Sequence, residues 1–223
     1  FVAGRPEWEV AGVQMVQDVL PWEQMKLRML NGSHSFLAYL GYLAGYAHIN
    51  ECMEDAAFRE AARRLMLDEQ APTLRIKDVD LTAYADSLLE RFANPALQHR
   101  TWQIAMDGSQ KLPQRMLDGI RVHLERKTPW SLLALGVAGW IRYVSGTDDR
   151  GNAIDVRDPL SDKISTMVNA SSDADRVNAL LGLSEVFGHD LAQNSAFVEA
   201  ISQAYQRITR HGARQAVIET LNI

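Results

Sequence analysis

Four side chains suited to proton transfer fall close together near the start of the chain: Glu23, Lys26, Asn31 and His34. At about 100° per residue, the step of an α-helix, all four lie on one side of a helix and extend over about three turns. The opposite side is apolar, which predicts that the helix is buried. Burial disfavours the charged form of a lysine, so Lys26 could act as a general base near neutral pH.

The same spacing also fits a structural role. Lys26 would then lie near a helix start and reach solvent, while Asn31 and His34 would be satisfied in the core. A metal site is not predicted, because Glu23 and His34 have no matching third ligand. Cys52 is the only cysteine, which excludes an intramolecular disulfide and a cysteine-rich metal site.

A second polar cluster runs from His99 to Arg115 and contains the turn Asp107-Gly108-Ser109. Ser109 or Asp107 could cap the helix that follows this turn. Lys111 and Arg115 would then lie near a helix start, where the helix dipole does not favour cations. Such a placement suggests a bound anion, since Arg binds a carboxylate bidentately and Lys binds it as a point charge. A capped turn with solvated cations is the alternative interpretation.

The elements that must position these residues are helical, and the pattern predicts an all-α domain around one long central helix. That helix is expected from about Trp22 to Asn50. Strand signals are confined to one possible small hairpin within Gly146 to Val156. Further helices are expected over Asp55 to Leu67, Leu81 to Phe92, Pro95 to Met106, Pro113 to Arg126, Trp130 to Val144, Pro159 to Val168, Ala174 to Phe187, Ser195 to Thr209 and Ala213 to Leu221.

The stretch from Met29 to Asn50 carries no charged residue and is long enough to span a bilayer. It contains Asn31, His34 and His48, whose polar groups would be costly in lipid. We therefore expect a buried central helix and no membrane association.

Composition narrows the class of protein. The 223 residues carry 23 Lys and Arg against 28 Asp and Glu, a net charge of −5, so a nucleic-acid partner is not expected. Neither G-x-G-x-x-G after a strand nor a P-loop motif occurs. We expect residues 1–223 to form one helical domain. Phe1 to Pro6 shows neither an initiator methionine nor a signal-peptide layout, which suggests a piece of a longer protein.

The segment from Lys26 to His34 resembles the K-x-x-x-x-N-x-x-H signature of the mannitol dehydrogenase family, long-chain polyol and hexonate dehydrogenases that need no metal. Three further segments resemble the family in the same order: Phe1 to Trp8, the Asp107-Gly108-Ser109-Gln110-Lys111-x-Pro113 turn, and Glu185-Val186-Phe187-Gly188. The resemblance covers the whole chain but only the family's C-terminal half.

This resemblance implies a helical substrate domain of the 6-phosphogluconate-dehydrogenase-like type in a cytoplasmic enzyme. An N-terminal Rossmann domain, absent from this chain, would hold NAD. It also implies that Lys26 is the general base and that Asn31 and His34 hydrogen-bond the reacting oxygen.

One departure from the family bears on the substrate. Mannitol-acting members have an arginine eight residues before the position of Lys111, and this chain has Gln103 there. The segment around it is more similar to fructuronate reductases, whose substrates carry a carboxylate. We therefore expect D-fructuronate and D-mannonate as substrates, bound by Lys111 first, by Arg115 or Arg100 second, and with Glu23 nearby. A neutral polyol dehydrogenase for mannitol or arabinitol, and a helical interaction module without catalysis, are the alternatives.

Overall fold

The computed structural model describes residues 2–222 and contains fourteen α-helices in that range. The first seven are α1 (Leu20–Met25), α2 (Ser33–Ala44), α3 (Ile49–Glu54), α4 (Ala56–Arg64), α5 (Leu81–Ala93), α6 (Thr101–Ala105) and α7 (Gly108–Leu112). The others are α8 (Asp118–Arg126), α9 (Ser131–Val144), α10 (Ser161–Ala170), α11 (Arg176–Leu181), α12 (Ser184–Phe187), α13 (Ser195–His211) and α14 (Ala213–Leu221).

Shorter helical segments link several of these helices. Three are π-helical: Lys26–Gly32, Leu65–Gln70 and Pro113–Leu117. Three are 3-10 turns: Trp8–Ala11, Ala71–Thr73 and Pro95–Leu97. Antiparallel pairing in residues 2–222 is limited to two isolated bridges, so the prediction of an all-α fold is confirmed. None of the described helices is both long and apolar enough to cross a membrane.

The long central helix consists of α1, the π-helical segment Lys26–Gly32 and α2, which continue into one another. It ends at Ala44, because Gly45 adopts a left-handed conformation and closes the last turn. The predicted end near Asn50 is therefore wrong. After a short turn, α3 begins separately at Ile49.

The core is built where α2 packs against α9, and both helices are buried along almost their whole length. Two glycines of α9 permit this close approach. A methyl group on Gly136 would meet Phe36, and one on Gly139 would meet Leu40. Helix α13 covers the other side of α9, where Phe197 stacks on Trp130 with ring centroids 5.9 Å apart.

The N-termini of α7 and α9 are capped by carboxylates from distant parts of the chain. Asp158 accepts hydrogen bonds from the backbone amide and the hydroxyl of Ser109. Glu69 accepts bonds from the amides of Leu132 and Leu133, at 2.8 and 2.7 Å. The expected caps of α7 were local ones, at Asp107 or Ser109. Those expectations are wrong, because buried helix starts here receive their acceptors from elsewhere in the fold.

Three other predicted elements are interrupted. The helix expected over Pro95 to Met106 breaks at Gln98, whose backbone is left-handed. The helix expected over Ala174 to Phe187 divides into α11 and α12 at Gly182. The possible hairpin reduces to a single bridge between Thr147 and Ala153, closed by Asp148, which accepts bonds from the amides that follow it.

Replacing Glu69 with alanine is expected to destabilise the protein by about 1–3 kcal/mol, because two buried amides of α9 lose their acceptor. Glu69 is only 5% exposed. The free energy of unfolding from urea titration measures the effect. The control Glu90→Ala removes an exposed carboxylate of α5 and should change that free energy by less than about 0.5 kcal/mol. Equal losses in the two variants would show that Glu69 is not a cap.

Candidate functional site

The π-helical segment Lys26–Gly32 contains two of the predicted site residues, Lys26 and Asn31. In a π-helix, the amide of each residue pairs with the carbonyl five positions earlier. Lys26 and Asn31 are separated by that same interval, so Asn31 lies one hydrogen-bonded turn beyond Lys26. In a regular α-helix the two side chains would instead be about 140° apart. The π-helix thus brings the amine and the amide closer to one line.

The structure does not bury the start of this helix as the sequence predicted. Lys26 and Glu23 are both exposed, and only the helix from Met25 onward enters the core. The side chains of Glu23, Lys26 and Asn31 have no hydrogen-bond or ion-pair partner within residues 2–222. The expectation of a desolvated lysine is therefore wrong for this chain alone, because nothing in residues 2–222 covers it.

His34 lies two residues into α2, in a pocket formed by two rings. It stacks on Phe92 with centroids 4.3 Å apart, and the edge of His99 lies 5.5 Å away. Burial, together with the charges of His99, Arg115 and Arg91, lowers the pKa of His34 to about 3. The imidazole is therefore neutral at physiological pH. Its Nε2 atom is buried and has no hydrogen-bond partner among residues 2–222.

Arg115 lies beside the same helix. Its Nη1 donates to Ser35 Oγ at 3.0 Å and reaches the carbonyl of Asn31 at 3.5 Å. Burial lowers the pKa of the guanidinium, but an arginine remains charged in proteins. The positive charge of Arg115 therefore adjoins the backbone of Asn31 and contributes to keeping His34 neutral.

Lys111 lies on α7 and is directed at the end of α6. Its Nζ donates to the carbonyls of Met106 at 2.5 Å and Ile104 at 3.4 Å, and it lies 3.7 Å from a carboxylate oxygen of Asp107. Burial and the charge of Arg115 lower the pKa of Lys111. The ammonium therefore satisfies carbonyls at the C-terminus of α6. The charge of Arg115, which adjoins the long helix, acts on Lys111.

The side chain of Arg100 faces a different region. It lines a cleft of about 630 Å³ together with Tyr42, Trp102 and Asp155. Arg100 pairs with His48 in extended backbone, where successive side chains point to opposite sides. His99 accordingly contacts His34 while Arg100 points away from it. Lys26, Asn31 and His34 thus lie on the long helix, and Arg115 lies on the neighbouring segment. Arg100 does not lie with them.

Three neighbours of His34 were missed by the sequence analysis: Phe92, His99 and Arg91. Phe92 and Arg91 lie at the end of α5, and His99 follows the Asn94-Pro95 turn. No local spacing rule links them to the long helix. The one signal in the sequence was that aromatic and cationic residues lie just before the polar cluster His99 to Arg115.

Lys26, Asn31 and His34 together have the groups needed for proton transfer to and from a hydroxyl. A free amine, a free carboxamide and a neutral imidazole lie in order along one helix, and none of the three is neutralised by a neighbouring carboxylate among the described residues. Such a set can remove a proton from a hydroxyl and donate hydrogen bonds to the oxygen that becomes charged. Within residues 2–222, no group of three His, Cys, Asp or Glu is arranged to hold a metal ion.

The comparisons with known proteins show which family this all-helical chain belongs to. Residues 18–209 match the model of the mannitol dehydrogenase C-terminal domain. The chain belongs to the mannitol dehydrogenase family. The prediction from the sequence motifs is thereby confirmed.

Known proteins are similar to this chain over all or nearly all of its length. The uncharacterized oxidoreductase YeiQ of Escherichia coli K12 is 75% identical over 223 residues, which are 100% of this chain and 46% of that protein. The D-mannonate oxidoreductase of the same organism is 58% identical over 218 residues, 97% of this chain and 45% of that protein. The chain thus spans about half the length of the curated relatives it matches.

A solved structure shows the same fold. The Pseudomonas fluorescens mannitol 2-dehydrogenase, in a ternary complex with NAD and D-mannitol, superposes with a TM-score of 0.90 at 34% sequence identity. The match covers 98% of this chain and 44% of that one. The helical architecture described above is therefore that of a mannitol dehydrogenase C-terminal region.

The lowered pKa of His34 predicts a dependence of stability on pH. The unfolded histidine takes up a proton near pH 6.5, whereas the folded one does so only near pH 3. This contribution to stability is complete above pH 6.5 and declines as the pH falls towards 3, by up to about 1.4 kcal/mol per pH unit. His34→Gln should remove that slope in urea titrations between pH 6.5 and 4.

The matched control is His189→Gln, since His189 is exposed at the surface. We expect this variant to retain the slope of the unsubstituted protein. If His34→Gln and the unsubstituted protein showed the same slope, His34 would not be held neutral by its surroundings.

Proposed function

We propose that this chain is the substrate-binding and catalytic half of an NAD-dependent oxidoreductase that interconverts a hexuronate and a hexonate, with D-fructuronate and D-mannonate as the pair. The observation that carries the proposal is the arrangement on the long helix. Lys26 and Asn31 are one π-helical turn apart, and the unpartnered Nε2 of the neutral His34 follows on the same helix.

Each residue has a distinct role in this proposal. Lys26 accepts the hydroxyl proton of the hexonate as the alcohol is oxidised, and it returns that proton in the reverse direction. The amide of Asn31 and the imidazole of His34, in the tautomer protonated on Nε2, donate hydrogen bonds to the reacting oxygen. Preorganised donors of this kind are worth about 3 kcal/mol each in other enzymes. Glu23, one turn before Lys26, contacts a hydroxyl of the substrate.

NAD, when bound, would supply the nicotinamide ring that accepts the hydride of the hydroxyl-bearing carbon, while the hydroxyl proton passes to Lys26. The residues of this chain do not fit the phosphates of a dinucleotide, because the sequence contains no glycine-rich turn between a strand and a helix. We assign its binding to a Rossmann domain in the part of the relatives' length that this chain does not cover.

We propose that such a domain covers the surface just before the long helix. A run of exposed apolar side chains precedes the long helix, at Val10, Val13, Met15, Val16 and Val19. Large exposed apolar patches mark interaction surfaces. Lys26 is exposed on the helix that follows this run, so a domain that covers both the run and the start of the helix also covers the base. We place the enzyme in the cytoplasm, as the family resemblance implies.

A sugar-acid substrate is supported by two observations. The chain is 58% identical to a D-mannonate oxidoreductase, against 38% to a mannitol dehydrogenase of Saccharomyces cerevisiae. It also has Gln103 where mannitol-acting members have an arginine. We assign the substrate carboxylate to Lys111 first and to Arg115 second. Arg100 is left out of this set because it lines a separate cleft.

A neutral polyol such as mannitol or arabinitol is the second candidate substrate. The observation in its favour is the TM-score of 0.90 to a structure that holds D-mannitol. A helical module without catalysis is the third candidate, and it would leave the free amine of Lys26 and the free Nε2 of His34 without a purpose. A panel of hexonates and polyols, assayed with NAD on the full-length protein, separates the three.

In the full-length protein, Lys26→Ala is expected to lower kcat by about 10²–10⁴-fold, the usual contribution of a general base. Steady-state rates of hexonate oxidation with NAD measure it, and small amines should restore part of the loss. Lys77→Ala removes an exposed lysine elsewhere and should leave kcat unchanged. Near-normal turnover of Lys26→Ala at neutral pH would exclude Lys26 as the base.

Replacing Lys111 with alanine is expected to affect charged substrates most, because an unpaired carboxylate in a partly buried cleft costs several kcal/mol. The ratio of kcat/KM for fructuronate to that for fructose should fall about tenfold or more. Equal losses on both substrates would show that Lys111 maintains the end of α6 and does not bind the carboxylate.

A further inference from the structure

Three π-helical segments within residues 2–222 meet at one place in the core. They are Lys26–Gly32, Leu65–Gln70 and Pro113–Leu117. Each contributes one residue to the meeting point, Gly32, Gln70 and Arg115, and we refer to these three residues as the π-junction. Well under 1% of residues in globular proteins are π-helical, and π-helical turns are found mainly at functional sites. Their convergence therefore calls for a physical explanation.

The π-junction is held by one partly buried hydrogen bond and one close backbone approach. Gln70 is fully buried, and its Nε2 donates to the carbonyl of Arg115 at 2.8 Å. A Cβ atom on Gly32 would lie 2.8 Å from that carbonyl and 3.0 Å from Gln70 Nε2. Only glycine at position 32 leaves room for the hydrogen bond between Gln70 and the carbonyl of Arg115. The Gln70 amide thus ties the second and third segments together directly against the first.

Side-chain donors also serve the carbonyls at the end of the first segment. The π-helical segment meets α2 at Ser33, whose backbone amide donates to the carbonyls of Met29 and Leu30. Ser33 Oγ donates to the carbonyls of Met29 and Leu30. Arg115 Nη1 reaches the carbonyl of Asn31 at 3.5 Å while donating to Ser35. The surroundings therefore stabilise the π-helical form of this segment.

We infer that Gln70 and Gly32 are positioning residues for the reaction: through Arg115 they keep the segment from Lys26 to Asn31 π-helical. This inference rests on the proposed function. Relaxation of the segment to an α-helix would turn Asn31 to about 140° from Lys26. The base and the hydrogen-bond donor could then no longer face one hydroxyl. A misplacement of about 1 Å costs about 10²-fold in rate.

The test compares Gln70→Met with Ile208→Ala in the full-length protein. Methionine keeps the length of glutamine but cannot donate to Arg115, and Ile208 is a buried residue of α13 that serves as a control for lost packing. Four quantities are measured for each variant: Tm, the kcat and the KM of hexonate oxidation, and the deuterium isotope effect on hydride transfer. A crystal structure of Gln70→Met reports the form of residues 26–32.

We expect Gln70→Met to lower kcat about 10–100-fold with KM changed less than about threefold, and to raise the isotope effect. Residues 26–32 should become α-helical. Ile208→Ala should lower Tm by a similar amount and leave kcat unchanged. Gly32→Ala should reproduce the kinetic change, because its methyl group meets the same bridge. Normal kcat in Gln70→Met, or a loss of kcat shared by Ile208→Ala, overturns the inference.

Failure of the proposed function would look different. In that case the unsubstituted protein would oxidise no hexonate or polyol with NAD. The inference would then be judged by the crystal structure alone, and a segment that stays π-helical in Gln70→Met would refute it.

Discussion

The packing of α2 against α9 is the contact on which the rest of the structure depends. Both helices are buried almost throughout, and the glycines of α9 let their backbones approach closely. Burial of the helices also buries their ends, whose amides still need acceptors. For α9 the acceptor is Glu69, from the π-helical segment Leu65–Gln70. For α2 no cap is needed, because the π-helical segment Lys26–Gly32 continues the helix outward to the surface at Leu20. The candidate site lies on that continuation.

Elements fixed by local signals could be predicted from the sequence, and elements fixed by tertiary contacts could not. The start of α5 is one such local signal, because Asp80 caps it and an N-cap acts on amides two or three residues away. Helix α14 has the predicted bounds. The break at Gln98 and the distant caps of α7 and α9 escaped prediction, because the partner groups are far away in sequence. The π-helical segments escaped for the same reason: Gln70 and Arg115 stabilise one of them from other helices.

The same distinction holds for the candidate site. Residue types and spacing identified Lys26, Asn31 and His34, but the assumed α-helical step placed Asn31 too far around the helix. Phe92 and His99, whose rings contact His34, come from other elements. Their contact with His34 therefore gives no local pattern in the sequence. Lys111 and Arg115 were correctly found as a pair of neighbouring cations. Only the fold shows that one serves the carbonyls of α6 while the other adjoins Asn31.

Burial changes steeply along the long helix, and this gradient bears on mechanism. His34 lies at the buried end, where desolvation keeps it neutral with a pKa of about 3. Lys26 lies at the exposed end and has no ion-pair partner within residues 2–222. A lysine base works near neutral pH only when its charged form is disfavoured. Under the proposed function, the desolvation of Lys26 must therefore come from surfaces outside this chain. The exposed apolar run from Val10 to Val19 precedes in sequence the helix that carries Lys26, so a domain that covered both this run and the start of the helix would bury the ammonium. Closure over the substrate and activation of the base would then be one event: the helix supplies the geometry, and the covering domain supplies the low-dielectric surroundings.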